Sequence, residues 1–553
     1  MGGAPARRFR FEGRSQEVRP GEPLARSLAR DGVPVLQRSI RYHRPRAPVC
    51  GIGYCTGCLV RVNGHPNVRA CRYAPAEGDE VRTENAWPSP RFDLLGVLDF
   101  VFPGGVDTLH GFRRPAWLTA AYQRVVRRLA GFGAAPSIDA PPWPVPAAVH
   151  RRADVVVVGG GPSGRAAAER LRAAGREVVI VDRTAAPPAG DPAWLAATVA
   201  FLPPRPASSA PFSLYGFAEP AQGIELTAPH VVVATGGYDA SLLFAGNDRP
   251  GVLTADGAFA LARGPDDPPF RRAVVVGGGA RAAELLRRFG DRCEALVAPG
   301  PIGPEVVRLA SELDVPLYPR VLVERASGRG RVRRLALRSR GSGSRFDLAC
   351  DAVVLAHRRL PTPQLFFQAG ARMAWRAPTG AYYPVVAEDG STSVPGLYAA
   401  GSTAGLPPDA AVASGERVAD AILGRSVATG LAPDLSAASV GPSELEGYYR
   451  ELMTGRPRGR WIACPCEDVL LDEIEEAHRA GYRGIEVVKR YTGVGTGLCQ
   501  GRYCLPDTLL VLALLEGRPP SEVGYITQRP PLVPVPLAAF AALAAGPRPP
   551  GGS

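Results

Sequence analysis

The chain has 553 residues, 46% of them apolar, which at about 150 residues per domain allows roughly three or four packed domains. No uninterrupted run of about 20 apolar residues marks a transmembrane segment. The net charge of +13 comes from 65 basic residues scattered among 52 acidic ones, a pattern that argues against a nucleic-acid partner.

Residues 1–14 lack the apolar stretch of a secretory leader, so a cytoplasmic location is expected. The ten cysteines are unevenly placed. Four lie between Cys50 and Cys71 and four between Cys464 and Cys504, while Cys293 and Cys350 stand apart. Without a secretion signal, two tight quartets point to metal clusters before disulfides.

In the N-terminal segment, Arg8–Glu12 and Gln16–Val18 flank a turn at Gly13-Arg14 and predict a hairpin, with a short helix around Pro23–Arg30. Cys50-x4-Cys55-x2-Cys58 followed by Cys71 matches the plant-type [2Fe–2S] ligand order. Gly51, Gly53 and Gly57 allow backbone N–H groups to turn toward the sulfides. Zinc is the main competitor, but structural zinc sites prefer paired knuckles without such a loop. His65 reads as an exposed turn residue. By composition, Arg38–Arg46 reads as a basic surface loop.

One helix is predicted at Trp117–Leu129, and the proline-dense Ile138–Pro146 reads as an extended linker. Asp154–Asp182 then gives strand, loop, helix and strand in register. Four valines lead into Gly159-Gly160-Gly161-Pro162-Ser163-Gly164, Ala166–Ala174 reads as a helix, and Val178–Val181 ends in Asp182. The glycines permit close approach to a pyrophosphate, which the helix start would hold, and Asp182 is placed to accept from a ribose. The span from Asp182 to His230 reads as irregular. His230–Gly237 is a strand ending in Ala234-Thr235-Gly236.

Ala273–Gly290 repeats the pattern with Gly277, Gly279 and Ala282, an internal repeat that suggests a second dinucleotide-binding unit. Its next strand, Ala295–Ala298, ends without an acid for a ribose, which leaves NAD binding there open. No Cys pair lies beside the first nucleotide-binding helix, which argues against dithiol chemistry, and Cys293 and Cys350 read as small core residues. Near the C-terminus, Cys464-Pro465-Cys466 opens a helix-like stretch through Arg479. Cys499-x4-Cys504 then precedes an apolar helix, Leu505–Leu515. Iron–sulfur is favoured over zinc here too, because the spacing departs from a zinc finger. Glu475 and Glu476 read as a solvated helix face, and the tail from Thr527 as a surface wrap or disorder.

Ser39-Ile40-Arg41-Tyr42-His43-Arg44-Pro45-Arg46 closely resembles a stretch in the α subunits of heteromeric sarcosine oxidase and related amine dehydrogenases. Arg127–Gly133 and Phe244-Ala245-Gly246-Asn247-Asp248-Arg249-Pro250-Gly251-Val252 are similar to further segments of that family. Ser393–Gly401 resembles the second flavin-binding fingerprint of two-dinucleotide flavoproteins, with Ser402 where that fingerprint has an acid. A hydroxyl can still bond the ribityl chain, more weakly than a carboxylate. The C-terminal quartet resembles bacterioferritin-associated-ferredoxin (BFD) [2Fe–2S] domains.

The resemblance implies an α/β fold: a two-dinucleotide (Rossmann-like) flavoprotein core between a β-grasp-like ferredoxin domain and a small helical BFD-like domain. The expected boundaries are 1–88 for the ferredoxin-like domain, 89–152 for a connector, 153–255 with 346–425 for the FAD-binding domain, and 256–345 for an inserted NAD-binding-like domain. A second connector at 426–460, the BFD-like domain at 461–526 and the tail at 527–553 complete the chain. The implied cofactors are FAD and two [2Fe–2S] clusters. FAD would contact Gly159, Gly161, Pro162, Ser163, Gly164, Asp182, Thr235, Gly236, Gly401 and Ser402. The clusters would take Cys50, Cys55, Cys58 and Cys71, and Cys464, Cys466, Cys499 and Cys504. NAD is a candidate at Gly277 and Gly279.

The family implies an electron-transfer subunit of a heteromeric amine or imino-acid dehydrogenase of sarcosine, proline, hydroxyproline or opine type. Its partners would be an FAD-dependent substrate-oxidising β subunit, with FMN a candidate at the interface, and an external electron acceptor. The alternative is a self-contained NAD(P)H:acceptor reductase. No catalytic residue is assigned.

Overall fold

A computed structural model describes residues 6–97, Trp117, 146–427 and 442–545, apart from 34, 40, 87, 184–190, 220, 263, 265–266 and 378. The helix expected from Trp117 and nearly all of the linker at 138–146 therefore lie outside the described residues. The chain divides into two compact units. One holds Met1–Pro141, Asp239–Arg358 and Ser443–Arg518; the other holds Pro142–Tyr238, Arg359–Pro442 and Pro519–Ser553.

The first unit opens with the expected hairpin. Arg7–Phe11 pairs antiparallel with Arg14–Val18, and Glu80–Arg82 joins it in parallel. Leu59–Val62 and then His65–Arg69 complete a five-stranded sheet. Phe9 and Phe11 alternate inward with Arg8 and Arg10 outside, the period-2 pattern of a sheet with one buried face. Helix Leu24–Arg30 buries Leu24, Ala25, Ser27 and Leu28, a spacing that lays one stripe on that face.

Asp239–Arg358 forms a parallel sheet in the order Val252–Thr254, Ala352–Leu355, Ala273–Val276, Cys293–Val297, Leu317–Tyr318. Helices Ala255–Leu261, Ala280–Phe289 and Pro304–Glu312 accompany it. Edge strand Val252–Thr254 and its neighbour Ala352–Leu355 belong to the same sheet although they lie outside residues 256–345. Its core is continuous with that of the N-terminal sheet, through residues such as Leu253, Ala258 and Leu261 alongside Leu28 and Val60.

The last part of this unit differs from expectation. Cys464 ends strand Ile462–Cys464, which pairs with Val469–Leu470, and only then does helix Leu471–Arg479 begin. Asp468 supplies the reason: its left-handed backbone (φ 55°) turns the chain back on itself. Helices Ile485–Thr492 and Leu505–Glu516 follow.

The second unit carries the parallel sheet Trp194–Ala196, Val178–Asp182, Val155–Val158, His230–Val233, Leu397–Ala399. Its central strands are valine-rich because both faces are buried, which removes the alternation a half-exposed strand would show. The span after Asp182 is a correction to the irregular reading. Thr198–Phe201, Phe212–Ala218, Gln222–Ala228 and Val149–Arg152 form a four-stranded sheet. Pro203, Pro204, Pro206 and Pro211, which contributed to the irregular reading, sit in the loop between Thr198–Phe201 and Phe212–Ala218.

The tail wraps this sheet. The Leu532 amide donates to the Ala200 carbonyl (2.8 Å), and Ala539 of helix Leu537–Ala544 lies directly over Gly223. Among the described residues, no helix is long and apolar enough to cross a membrane.

Candidate cofactor sites

The first glycine loop sits at the C-terminal end of strand Val155–Val158, where open α/β sheets bind nucleotides. A Cβ on Gly159 would meet the Ala234 carbonyl at 2.2 Å, one on Gly160 the Trp194 ring at 2.0 Å, and one on Gly164 the Gly159 carbonyl at 1.9 Å. Gly161 alone faces open space, with nothing within 4 Å. It is the N-cap of helix Pro162–Ala173, Pro162 occupies the first turn, and no side chain caps the helix. That leaves uncapped amides beside an open approach, a fit for a pyrophosphate. The Asp182 carboxylate accepts from the Gly160 amide (2.7 Å), which places the acid at the loop.

The other expected nucleotide contacts converge on the same edge. Gly401 (φ 68°) brings its backbone against Ser163: a Cβ there would lie 2.6 Å from Ser163 Oγ. Gly415 packs helix Ala411–Ile422 directly on the Ser163 carbonyl. Thr235 Oγ1 lies 2.5 Å from Thr362 Oγ1 and 3.3 Å from Thr403 Oγ1, and Thr403 donates to the Gly236 carbonyl (3.0 Å). Thr362 and Thr403 were not singled out from sequence. Ser402 is half-buried beside them.

The second glycine loop is less open. Gly277 (φ 154°) and the N-cap Gly279 repeat the turn. However, the loop after Cys293–Val297 lies on it: a Cβ on Gly278 would meet the Pro301 carbonyl at 2.6 Å, and the Gly303 amide donates to the Gly278 carbonyl (2.8 Å). Arg281, in the first turn of the helix, is tied to Asp239 (3.2 Å) and Asp256 (2.6 Å).

Cys50, Cys55, Cys58 and Cys71 are all buried and face one another. Cys50 touches Cys55 and Cys71, and Cys71 touches Cys58. The Cys55 amide donates to Cys50 Sγ (3.3 Å). Gly57 lies so close to the Ala47 carbonyl that a Cβ would sit 2.1 Å away. The second quartet repeats this arrangement, with Cys499 touching Cys466 and Cys504, and Cys504 touching Cys464. Helix Leu505–Glu516 begins directly after Cys504, so its positive end faces the sulfurs. Four thiolates shared in pairs between two irons is the donor set that a [2Fe–2S] cluster takes, and both quartets fit it.

Cys293 and Cys350 are set apart from this chemistry, since burial pushes each thiol up to about 12. Glu475, expected to be solvated, instead pairs with Arg456 (3.0 Å). The larger correction concerns Arg38–Arg46. Arg44 and Arg46 are buried, and both pair with Asp468, Arg46 at 2.9 Å. Arg44 also pairs with Asp248. Burial opposes ionisation of Asp468, yet the two guanidiniums hold its carboxyl well below the usual carboxylate range. Arg41 bonds Glu473 (2.6 Å). Only the family resemblance marked this stretch, because composition cannot distinguish a solvated arginine from one whose acid lies hundreds of residues away.

Residues 6–86 match the family of 2Fe-2S iron-sulfur cluster binding domains, and 152–189 the FAD binding domain. Residues 213–416 match the pyridine nucleotide-disulphide oxidoreductases, and 459–545 the sarcosine oxidase A3 domain. The alpha subunit of sarcosine oxidase from Rhizobium meliloti (strain 1021) is 28% identical over 598 residues, covering 96% of this chain and 57% of that one. An opine oxidase subunit from Agrobacterium tumefaciens (strain Ach5) is 28% identical over 37% of this chain and 43% of its own length. The HcnB subunit of hydrogen cyanide synthase from Pseudomonas aeruginosa is 26% identical over 57% of this chain and 76% of its own.

The chain is similar to these subunits. It spans about half the length of the sarcosine and opine oxidase subunits it matches. The fold is that of L-proline dehydrogenase from P. horikoshii, at a TM-score of 0.65, 20% identity, and coverage of 97% and 98%. FAD binding and an N-terminal 2Fe-2S domain therefore belong to this chain.

Proposed function

We infer that this chain is the electron-transfer subunit of a heteromeric FAD-dependent dehydrogenase acting on the CH–NH bond of a secondary amine or imino acid. The observation that carries the reading is the presence of two four-cysteine pockets, seven of whose eight cysteines are buried, in a chain that also has an FAD-binding core. The chain's relatives are named as subunits, which supports a separate partner that oxidises the substrate.

Bound flavin supplies the conversion between electron pairs and single electrons that linking an amine to iron–sulfur centres requires. The chain's own residues do the rest. The uncapped amides at Gly161–Gly164 hold the pyrophosphate, Asp182 takes a ribose, and Thr235, Thr362, Ser402 and Thr403 line the edge with hydroxyl groups. Cys50, Cys55, Cys58 and Cys71 hold one cluster, and Cys464, Cys466, Cys499 and Cys504 the other. Burial of all of these cysteines except Cys466, which is half-buried, limits the access of water to the sulfurs.

Anaerobic purification from the native source tests the reading. The expected preparation contains FAD, about four irons and about four sulfides per chain, together with a co-purifying flavoprotein. Zinc in place of iron, or full amine oxidation by the isolated chain, contradicts it.

A further inference from the structure

The two cysteine pockets belong to one compact unit, and their loops touch. Thr56, directly after Cys55, is 5% exposed. Its hydroxyl lies 3.4 Å from Cys466 Sγ, with Thr56 as the donor. The backbone and a guanidinium fix that direction. Gln37 donates to the Thr56 carbonyl, and Arg46 Nη1 donates to Thr56 Oγ1 (3.4 Å). With Oγ1 accepting from Arg46, the hydroxyl proton is directed at the sulfur. Arg46 Nη2 reaches the Cys466 carbonyl (3.4 Å) as well as Asp468. Two further contacts close the joint: Arg69 donates to the Leu498 carbonyl (3.5 Å), and Arg502 stacks 4.5 Å over the Tyr54 ring.

We propose that Thr56 is a bridge between the two cluster sites, joined through its peptide to Cys55 of one and through its hydroxyl to Cys466 of the other, so that electrons pass directly between them. The proposal rests on the two-cluster reading above. In each transfer one electron leaves the reduced site and one arrives at the oxidised site. No bond breaks, and the Thr56 hydroxyl keeps its proton. The same hydrogen bond stabilises the extra negative charge on the reduced C-terminal site, because hydrogen bonds to ligating sulfurs raise the potential of iron–sulfur centres. Thr56 is thus a positioning residue with an electronic effect, and Arg46 sets its orientation.

The test is a redox titration of the intact complex followed by electron paramagnetic resonance. In Thr56→Val, the equilibrium constant for reducing the C-terminal centre should fall about tenfold, a shift of about 59 mV for one electron. Thr56→Ser should restore it, and the N-terminal centre should move less. In the unmodified complex, the doubly reduced state should show magnetic interaction between the centres, a readout that does not depend on either variant folding. Full iron content with an unshifted Thr56→Val potential, or two non-interacting signals, overturns the bridge alone. Iron sufficient for only one cluster overturns the two-cluster reading, and the bridge with it.

Discussion

Burial of Arg44 and Arg46 beside Asp468 removes three charges from water, so each depends on the others for its stability. Asp468→Asn would leave Arg46 facing a neutral amide, while Arg44 keeps its pair with Asp248. Breaking a buried pair in this way costs about 3–5 kcal/mol. A matching fall in denaturant stability is expected, measured as the urea midpoint, with Glu473→Gln, which neutralises the partly exposed partner of Arg41 and keeps an amide oxygen to accept from the Leu470 amide, changing it much less. His357 presents the opposite situation, a fully buried imidazole that burial, aided by Arg358, pushes down to about 3. Its folded pKa lies below its unfolded value of about 6.5, so the unfolded chain binds the proton first. The stabilising effect is complete above pH 6.5 and is lost as pH falls toward 3. This group alone should remove about 2 kcal/mol between pH 7 and pH 5. His357→Gln should flatten that slope in urea titrations at the two pH values.

At the scale of elements, the glycine loop of the second unit leaves no room for side chains. A Cβ at Gly164 would sit 1.9 Å from the Gly159 carbonyl, with backbone as the obstacle. Gly164→Ala should therefore abolish FAD retention, read as flavin released per chain on denaturation, while iron content in the first unit stays unchanged. The second loop, covered by Pro301 and Gly303 and followed by Ala298 where an acid would hold a ribose, should not take NADH. Anaerobic NADH should leave the flavin absorbance unbleached.

These loops were legible in sequence because backbone geometry demands glycine at fixed places and fully buried parallel strands demand unbroken valine. The sheet at 198–228 was harder to read. Its strands carry mixed residues such as Ser213, Tyr215 and Glu225, and a proline-rich loop dominates the composition between them. The Thr235–Thr362–Thr403 group and the Thr56–Cys466 contact join residues more than a hundred positions apart. Local patterns carry no record of such meetings.

Across the whole molecule, both cysteine pockets share one compact unit, with a covered glycine loop between them in sequence, while the open glycine loop lies in the other. On the proposed reading, that division places the nucleotide site in one unit and both cysteine sites in the other. The same reading assigns the amine-oxidising step to another chain, which the naming of the relatives as subunits supports. The most direct measurement is an anaerobic mix of the reconstituted complex with sarcosine, proline, hydroxyproline or an opine, followed by electron paramagnetic resonance of rapidly frozen samples. The account predicts that one of these amines reduces both iron–sulfur centres when the partner is present and neither when this chain is alone. Reduction of the centres by amine in the isolated chain, or a complex that turns over amine while both centres stay oxidised throughout, would contradict it.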